Sequence, residues 1–241
     1  MLLHGFHVVM SRLRRAPDTV TELYLDQSRM DARMADMKAQ ASQAGIRAKF
    51  VDGARLDSIC RHKRHQGVVA FAEADFLPMG LDELLADIDK PALLLVLDGV
   101  TDPRNLGACL RAADGAGAQA VIAPKDHACT LTDAAVQTAS GAAESIPYVM
   151  VTNLSRAMDA LNEAGIWTVG TSDDAPTSLY EAEIPESVAW VLGAEGRGLR
   201  RLTRERCDLL VNIPMRGVVD SLNVSVAAGV VLYESVRQRG S

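Results

Sequence analysis

The sequence predicts an α/β protein in two parts: a mainly parallel sheet from about Pro91 onward, preceded by a small α/β unit in residues 1–72. From Pro91, short apolar runs alternate with longer stretches of helical period. Those runs are apolar throughout rather than at every second residue, the pattern of strands buried on both faces. Residues 1–72 break this rhythm and carry a different charge balance.

In the first part, residues 5–15 read as a helix and 20–25 as a strand. Residues 30–44 read as a long polar helix closed by Gly45 just past its C-cap. A strand over 46–51, a short helix and a strand over 67–72 complete the unit. Residues 73–90 hold Pro78, Gly80 and several acidic residues among Leu and Ala, and read as a linker with one helical turn. The second part, 91–241, has strands over 92–97, 119–123, 146–151, 166–170, 188–192 and 209–213. Helical stretches lie between and beyond them, at 104–117, 132–142, 153–165, 197–206 and 222–238.

Composition narrows the class. The 241 residues are 48% hydrophobic but only 4% aromatic, enough for a substantial, aliphatic core. No apolar run reaches 18 residues, so no membrane-spanning helix is expected. The apolar start is interrupted by His4 and His7, and its basic residues follow rather than precede it, the wrong order for a secretory signal. A soluble cytoplasmic protein is the expectation. No Cys-x-x-Cys pair occurs among Cys60, Cys109, Cys129 and Cys207, so no zinc site is expected. The last three sit among apolar neighbours and read as small core residues. Cys60 leads into Arg61-His62-Lys63-Arg64-His65, better suited to a solvated or RNA-facing loop than to a metal. The net charge of −6 is unevenly spread: twelve Lys and Arg stand against seven Asp and Glu in residues 1–72, while the rest is strongly acidic. A basic module joined to an acidic one is expected if the first touches a polyanion.

Ligands of open α/β sheets bind beyond the carboxyl ends of the strands, and three segments there carry polar residues. After the strand at 92–97 comes Asp98-Gly-Val-Thr-Asp102-Pro103-Arg104-Asn105-Leu-Gly107-Ala-Cys-Leu-Arg111. Asp102 suits a helix cap and Pro103 the first turn. Arg104 and Arg111, seven apart, share a helix face, and with a helix N-terminus they form an anion site. After 188–192 comes Gly193-Ala-Glu195-Gly196-Arg197-Gly198-Leu199. This is neither the dinucleotide fingerprint nor a phosphate-binding loop, which opposes a Rossmann dehydrogenase. Its glycines permit tight turning and close backbone approach to a ligand. After 209–213 comes Pro214-Met215-Arg216-Gly217-Val-Val-Asp220-Ser221-Leu222-Asn223-Val224-Ser225, with a helix expected to start at Asp220 or Ser221. Asn223 then has no capping duty.

These segments, in order and at compatible spacing, closely resemble the three motifs of the SpoU branch of the knotted methyltransferases, over Pro91 to about Arg239. Residues 139–147 (ASGAAESIP) also look like that family. Residues 1–72 are similar to the ribosomal-protein-like substrate-binding module of its ribosomal RNA members, through Gly5-Phe6-His7 and His65-Gln66-Gly67-Val68. The resemblance implies a deep trefoil knot, a homodimer, and methyl transfer from S-adenosylmethionine to the ribose 2′-hydroxyl of a guanosine in 23S rRNA. The alternatives are a tRNA substrate, whose stand-alone enzymes lack the module, and an RNA-binding or ribosome-assembly protein without catalysis. Asn105, Arg111, Glu195, Ser221 and Asn223 match the family's catalytic set. Gly193, Ile213 and Leu222, with Met215 adjacent and Thr171 after its strand, match its cofactor contacts. The chain departs at Arg216 and Asp220, where smaller or hydroxylated residues are expected. No His or Lys lies in the three motifs, so Arg111 is expected to bind the neighbouring phosphate and polarise the hydroxyl. No metal is required, since a sulfonium is already a good leaving group.

Overall fold

The structure is a computed structural model and describes residues 2–60, 65–73, 80–88, 90–194 and 196–240. The first part comprises β1 (Leu2–His4), α1 (Phe6–Arg15), β2 (Val20–Asp26), α2 (Ala32–Gln43), β3 (Ala48–Val51), α3 (Gly53–Cys60) and β4 (Val68–Ala72). The sheet order is β1-β4-β2-β3. β4 runs antiparallel to both neighbours, and β3 is parallel to β2. Asp31 caps α2 by accepting from the Met34 amide at 3.1 Å. Gly45 follows that helix at φ 72°, as its C′ position requires. β1 is not expected from the sequence: three residues carry no period, and only the edge of β4 makes them a strand. Cys60 is buried against Leu56 and Val69 rather than solvated, because it closes the inner face of α3; Arg61 to Arg64 lie outside the described residues.

The second part comprises α4 (Leu81–Asp87), β5 (Leu93–Asp98), α5 (Pro103–Gly115), β6 (Ala120–Pro124), α6 (Asp133–Ala139), α7 (Ala142–Ser145) and β7 (Tyr148–Val151). It continues with α8 (Leu154–Glu163), β8 (Trp167–Thr171), β9 (Thr177–Ser178), β10 (Val188–Gly193), α9 (Arg201–Glu205), β11 (Leu209–Asn212) and α10 (Val224–Gln238). Its seven strands lie in the order β7-β6-β5-β10-β8-β11-β9, every pairing parallel. Leu93, Leu95, Leu97, Trp190 and Leu192 point to one face, under α5 and α10. Leu94, Val96, Ala189 and Val191 point to the other, under α4 and α8. The indole of Trp190 donates to Ser235 Oγ at 2.8 Å, so the buried ring leaves no polar atom unsatisfied. Each of these large side chains contributes about 1.5–3 kcal/mol of hydrophobic stabilisation.

Several boundaries differ from the expectation for local reasons. The helix expected at 132–142 is broken into α6 and α7 by left-handed Ser140 and Gly141. The stretch 197–206 is helical only from Arg201, because Gly196 and Gly198 hold positive φ. The single turn expected in 73–90 is instead α4, whose Leu84 is buried against the sheet. β9 is two residues long and too short to announce itself. Gly107 lets α5 and α6 touch: a Cβ there would lie 2.4 Å from the Ala135 carbonyl oxygen. Among the described residues, no helix is long and apolar enough to cross a membrane, and no cluster of His, Cys, Asp and Glu is arranged to hold a metal ion.

The two parts are joined by a buried ion pair. Arg12 of α1 meets Glu144 of α7, Nε to Oε2 at 2.6 Å and Nη2 to Oε1 at 3.1 Å, while Nη1 donates to Thr19 Oγ1 at 3.0 Å. The side chains are 1% and 5% exposed. Taking one partner from such a pair strands a buried charge. Glu144→Gln is therefore expected to lower the unfolding free energy by about 3 kcal/mol or more, whereas Glu205→Gln, which breaks the exposed Arg201–Glu205 pair, should cost under about 1 kcal/mol. Urea denaturation of both variants checks this; equal losses would mean that the α1–α7 contact is not a buried pair in solution.

Candidate active site

The parallel register gathers the carboxyl ends of the central strands. Asp98 of β5 stands opposite Gly193 of β10, Gly170 of β8 opposite Val191, and Thr171 opposite Val211 of β11. Gly193, Thr171 and Ile213, the residue after β11, thus share one edge of the sheet. Ile213 packs partly on the core beneath α10. Met215 and Leu222 are half-buried along the segment that leads from β11 to α10, and Arg216, Asp220 and Ser221 are exposed on it. The loop after Thr171 is tied to α9: Arg204 pairs with Asp174 at 2.8 Å, and Ser172 Oγ donates to Asp174 Oδ1 at 2.5 Å. Arg204, then Ser172, hold that carboxyl below its usual range.

The first and third motifs meet at two helix N-termini. Asp102 caps α5, accepting from the amides of Arg104 at 2.7 Å and Asn105 at 3.4 Å, with Pro103 in the first turn as expected. Asn223 Nδ2 donates to Asn105 Oδ1 at 3.0 Å. Asn223 Oδ1 accepts from the Ser225 amide at 3.0 Å and from Ser225 Oγ at 2.6 Å. The expectation of a helix start at Asp220 or Ser221 is corrected: α10 begins at Val224, and Asn223 is its cap. Asn223 therefore does have a capping duty, and its amide nitrogen reaches Asn105 as well. Arg111 lies six residues beyond Asn105 on α5, about 9 Å along the axis. It is exposed on the face it shares with Arg104 rather than at the Asn105–Asn223 contact. Glu195 lies outside the described residues.

The glycine loop folds back on itself. A Cβ on Gly193 would lie 2.0 Å from the Gly198 carbonyl carbon and 2.3 Å from the Leu199 amide. Ala194 and Gly198 form an antiparallel bridge. A close approach that demands glycine at 193 is thus made by the returning loop itself. Beyond the loop, the Arg200 amide donates to Asp98 Oδ2 at 3.0 Å, and its Nε and Nη2 reach Oδ1 at 2.6 and 2.5 Å. Asp98 opens the first motif segment but the sequence assigns it no role there, and Arg200 follows directly after the glycine segment. The available signal was an acid closing an otherwise apolar strand. Beneath, Gly170 admits Cys207 and Leu199. Burial, with Asp208 and Asp98 nearby, pushes the Cys207 thiol up to about 12.

Because Asn223 both caps and bridges, its variants should separate. Asn223→Ala is expected to lose about 1 kcal/mol as a missing cap, while Asn223→Ser retains a capping oxygen and most of that stability. Neither side chain can reach Asn105 as the amide does. Chemical denaturation showing equal stability for Ala and Ser would remove the capping role.

Residues 92–233 match the model of the SpoU rRNA Methylase family, and residues 2–77 match one described as RNA 2′-O ribose methyltransferase substrate binding. The chain is 56% identical over 238 residues to the 23S rRNA (guanosine-2′-O-)-methyltransferase RlmB of Bordetella pertussis, covering 99% of this chain and 97% of that one. Its identity to the same enzyme of Neisseria meningitidis serogroup B is 49%, over 98% and 95% of the two chains. Among solved structures, the SpoU methyltransferase AviRb of Streptomyces viridochromogenes superposes with a TM-score of 0.81 at 26% identity, over 99% of this chain and 89% of that one. The same protein in complex with AdoMet gives 0.80 at 27% identity, over 99% and 90%. With one family model spanning more than half of its length and near-full-length identity to members, this chain belongs to the SpoU rRNA methylase family.

Proposed function

We propose that this protein transfers the methyl group of S-adenosylmethionine to the ribose 2′-hydroxyl of a guanosine in 23S rRNA. The observation that carries the reading is the Asn105–Asn223 bridge, which joins the first and third motifs at the carboxyl end of a fully parallel sheet. The match of residues 2–77 to a substrate-binding model favours ribosomal RNA over the tRNA alternative, and the complete polar set favours catalysis over binding alone.

Residues 1–72 serve as the RNA substrate-binding domain, 73–90 as the connection, and 91–241 as the catalytic domain. The backbone at Gly193 and Ile213, with the half-buried Leu222 and Met215 and with Thr171 at the next strand end, suits a ligand whose adenine faces take apolar contacts and whose base edge takes main-chain hydrogen bonds. When bound, S-adenosylmethionine supplies an electrophilic methyl on a sulfonium; the ribose oxygen bonds to that carbon as the sulfur–carbon bond breaks. Asn105, Ser221, Asn223 and Glu195 orient the nucleotide. Arg111 holds the phosphate beside the target ribose and polarises the hydroxyl, whose proton passes to solvent water. The exposed apolar residues Val218, Val219, Val226 and Tyr233 lie on or beside α10 and support a homodimer formed around this segment. The strand order supports the trefoil knot: β10 is laid between β5 and β8, and the chain then passes from β11 back to α5. A cytoplasmic setting follows from an RNA substrate of this kind.

Mapping 2′-O-methylguanosine in 23S rRNA from cells with and without this protein tests the substrate; an unchanged map would sink it. Arg111→Ala should lower methyl transfer by roughly two to four orders of magnitude while calorimetry shows unchanged affinity for S-adenosylmethionine. A near-normal rate would remove Arg111 from the reaction.

The charge asymmetry generates a separate expectation. Arg33, Arg47 and Arg55 are exposed on the first domain. Replacing all three with Glu should weaken RNA binding and reduce its salt slope by about one for each phosphate no longer neutralised, leaving cofactor affinity unchanged. An unaltered slope would show that phosphate attraction resides elsewhere.

A further inference from the structure

We propose that Asp98 and Arg200 are a positioning clamp that fixes the glycine loop, and through it the affinity of the site for S-adenosylmethionine. The proposal rests on the methyltransferase reading and adds two residues outside its catalytic and cofactor sets.

Asp98 ends a strand that is otherwise entirely apolar, and its side chain is 0% exposed. A carboxylate in such a place is costly unless paired and hydrogen-bonded. A leucine would cover the strand end at no such cost, since buried ion pairs are often no more stabilising than packed apolar groups. What a leucine cannot do is hold a main chain. Asp98 Oδ2 takes the Arg200 amide at 3.0 Å, fixing the backbone where the loop leaves, while Oδ1 takes two guanidinium donors at 2.6 and 2.5 Å. The other end of the loop, Gly193, stands opposite Asp98 itself in the β5–β10 register. One residue thus anchors both ends of the turn that carries Gly193 against Gly198 and Leu199. The ends of β8 and β11, with Thr171 and Ile213, lie along the same sheet edge. A loop held in one position keeps that edge ready for its ligand and removes an ordering cost from binding. Arg200 is half exposed, 51%, yet two of its guanidinium donors, Nε and Nη2, converge on Oδ1, an arrangement that a lysine cannot reproduce.

The test compares full-length wild type with R200M, R200K and D98N/R200M. The wild type is first shown to bind S-adenosylmethionine by calorimetry and to methylate 23S rRNA; failure at that step defeats the functional reading and not the clamp. R200M is expected to raise the Kd and KM for S-adenosylmethionine about tenfold or more with the KM for RNA unchanged, and R200K to recover only part of the loss. The double variant D98N/R200M removes both charges and so strands neither. It should fold, and match R200M in cofactor affinity rather than add to its loss, because the two residues act as one unit. Should R200M fail to fold, the double variant alone decides. Folded variants that bind S-adenosylmethionine with wild-type affinity overturn the proposal even if their melting temperature falls, since that is what a merely structural pair would show. A rise in the KM for RNA alone also overturns it, by making Arg200 an RNA contact.

Discussion

The parallel pairing of β5 with β10 over six residues is the interaction on which the rest of the structure depends. Both strands are buried on both faces, so their register is specified by two sets of side chains at once. Slipping it by one residue would exchange the layer under α5 and α10 with the layer under α4 and α8. That register places Asp98 opposite Gly193, and it makes the glycine loop, the start of α5 and the passage into α10 converge on one edge.

Everything polar at that edge is held by elements whose own stability is apolar. α5 is fixed by Leu106 and Leu110 in the core and by its tight contact with α6 at Gly107. α10 is fixed by Val224, Ala228, Val231 and Leu232. Asn105 and Asn223 then need only short side chains to meet, and Asn223 is also oriented by its cap. A site assembled on rigid helix starts gives more exact placement than one assembled on loops. The glycine loop is the exception, and it is the element tied down by a buried carboxylate.

The first domain is attached by a different logic. Its charge is suited to a polyanion, yet its contact with the acidic domain is not a surface attraction. Arg12 and Glu144 are desolvated together, within a core that runs from Leu13 of α1 to Ala143 of α7 without interruption. Such a joint contributes less to affinity between the parts than to their mutual orientation. Orientation is what a module needs if the RNA it holds is to reach a site on its neighbour.

The sequence by itself determined the two-part α/β plan, six of the seven strands of the parallel sheet, the caps at Asp102 and Gly45, and the three motifs with their spacing. These are local or periodic properties, and burial on both faces writes itself directly into composition. It also carried the family, because the motifs stand in fixed order along the chain. Only the tertiary structure decided that Asn223 caps α10 and reaches Asn105, that Gly193 yields room to its own loop, that Cys60 is buried, and that Asp98 and Arg200 are partners. Those facts join residues 118 and 102 positions apart, or depend on where a helix begins among several residues able to cap it. By sequence the cap is expected at Asp220 or Ser221 and not at Asn223, although all three residue types can cap. The packing of Val224 and Ala228 into the core chose between them, because the first buried turn of α10 sets where its open amides fall, and the cap must stand there.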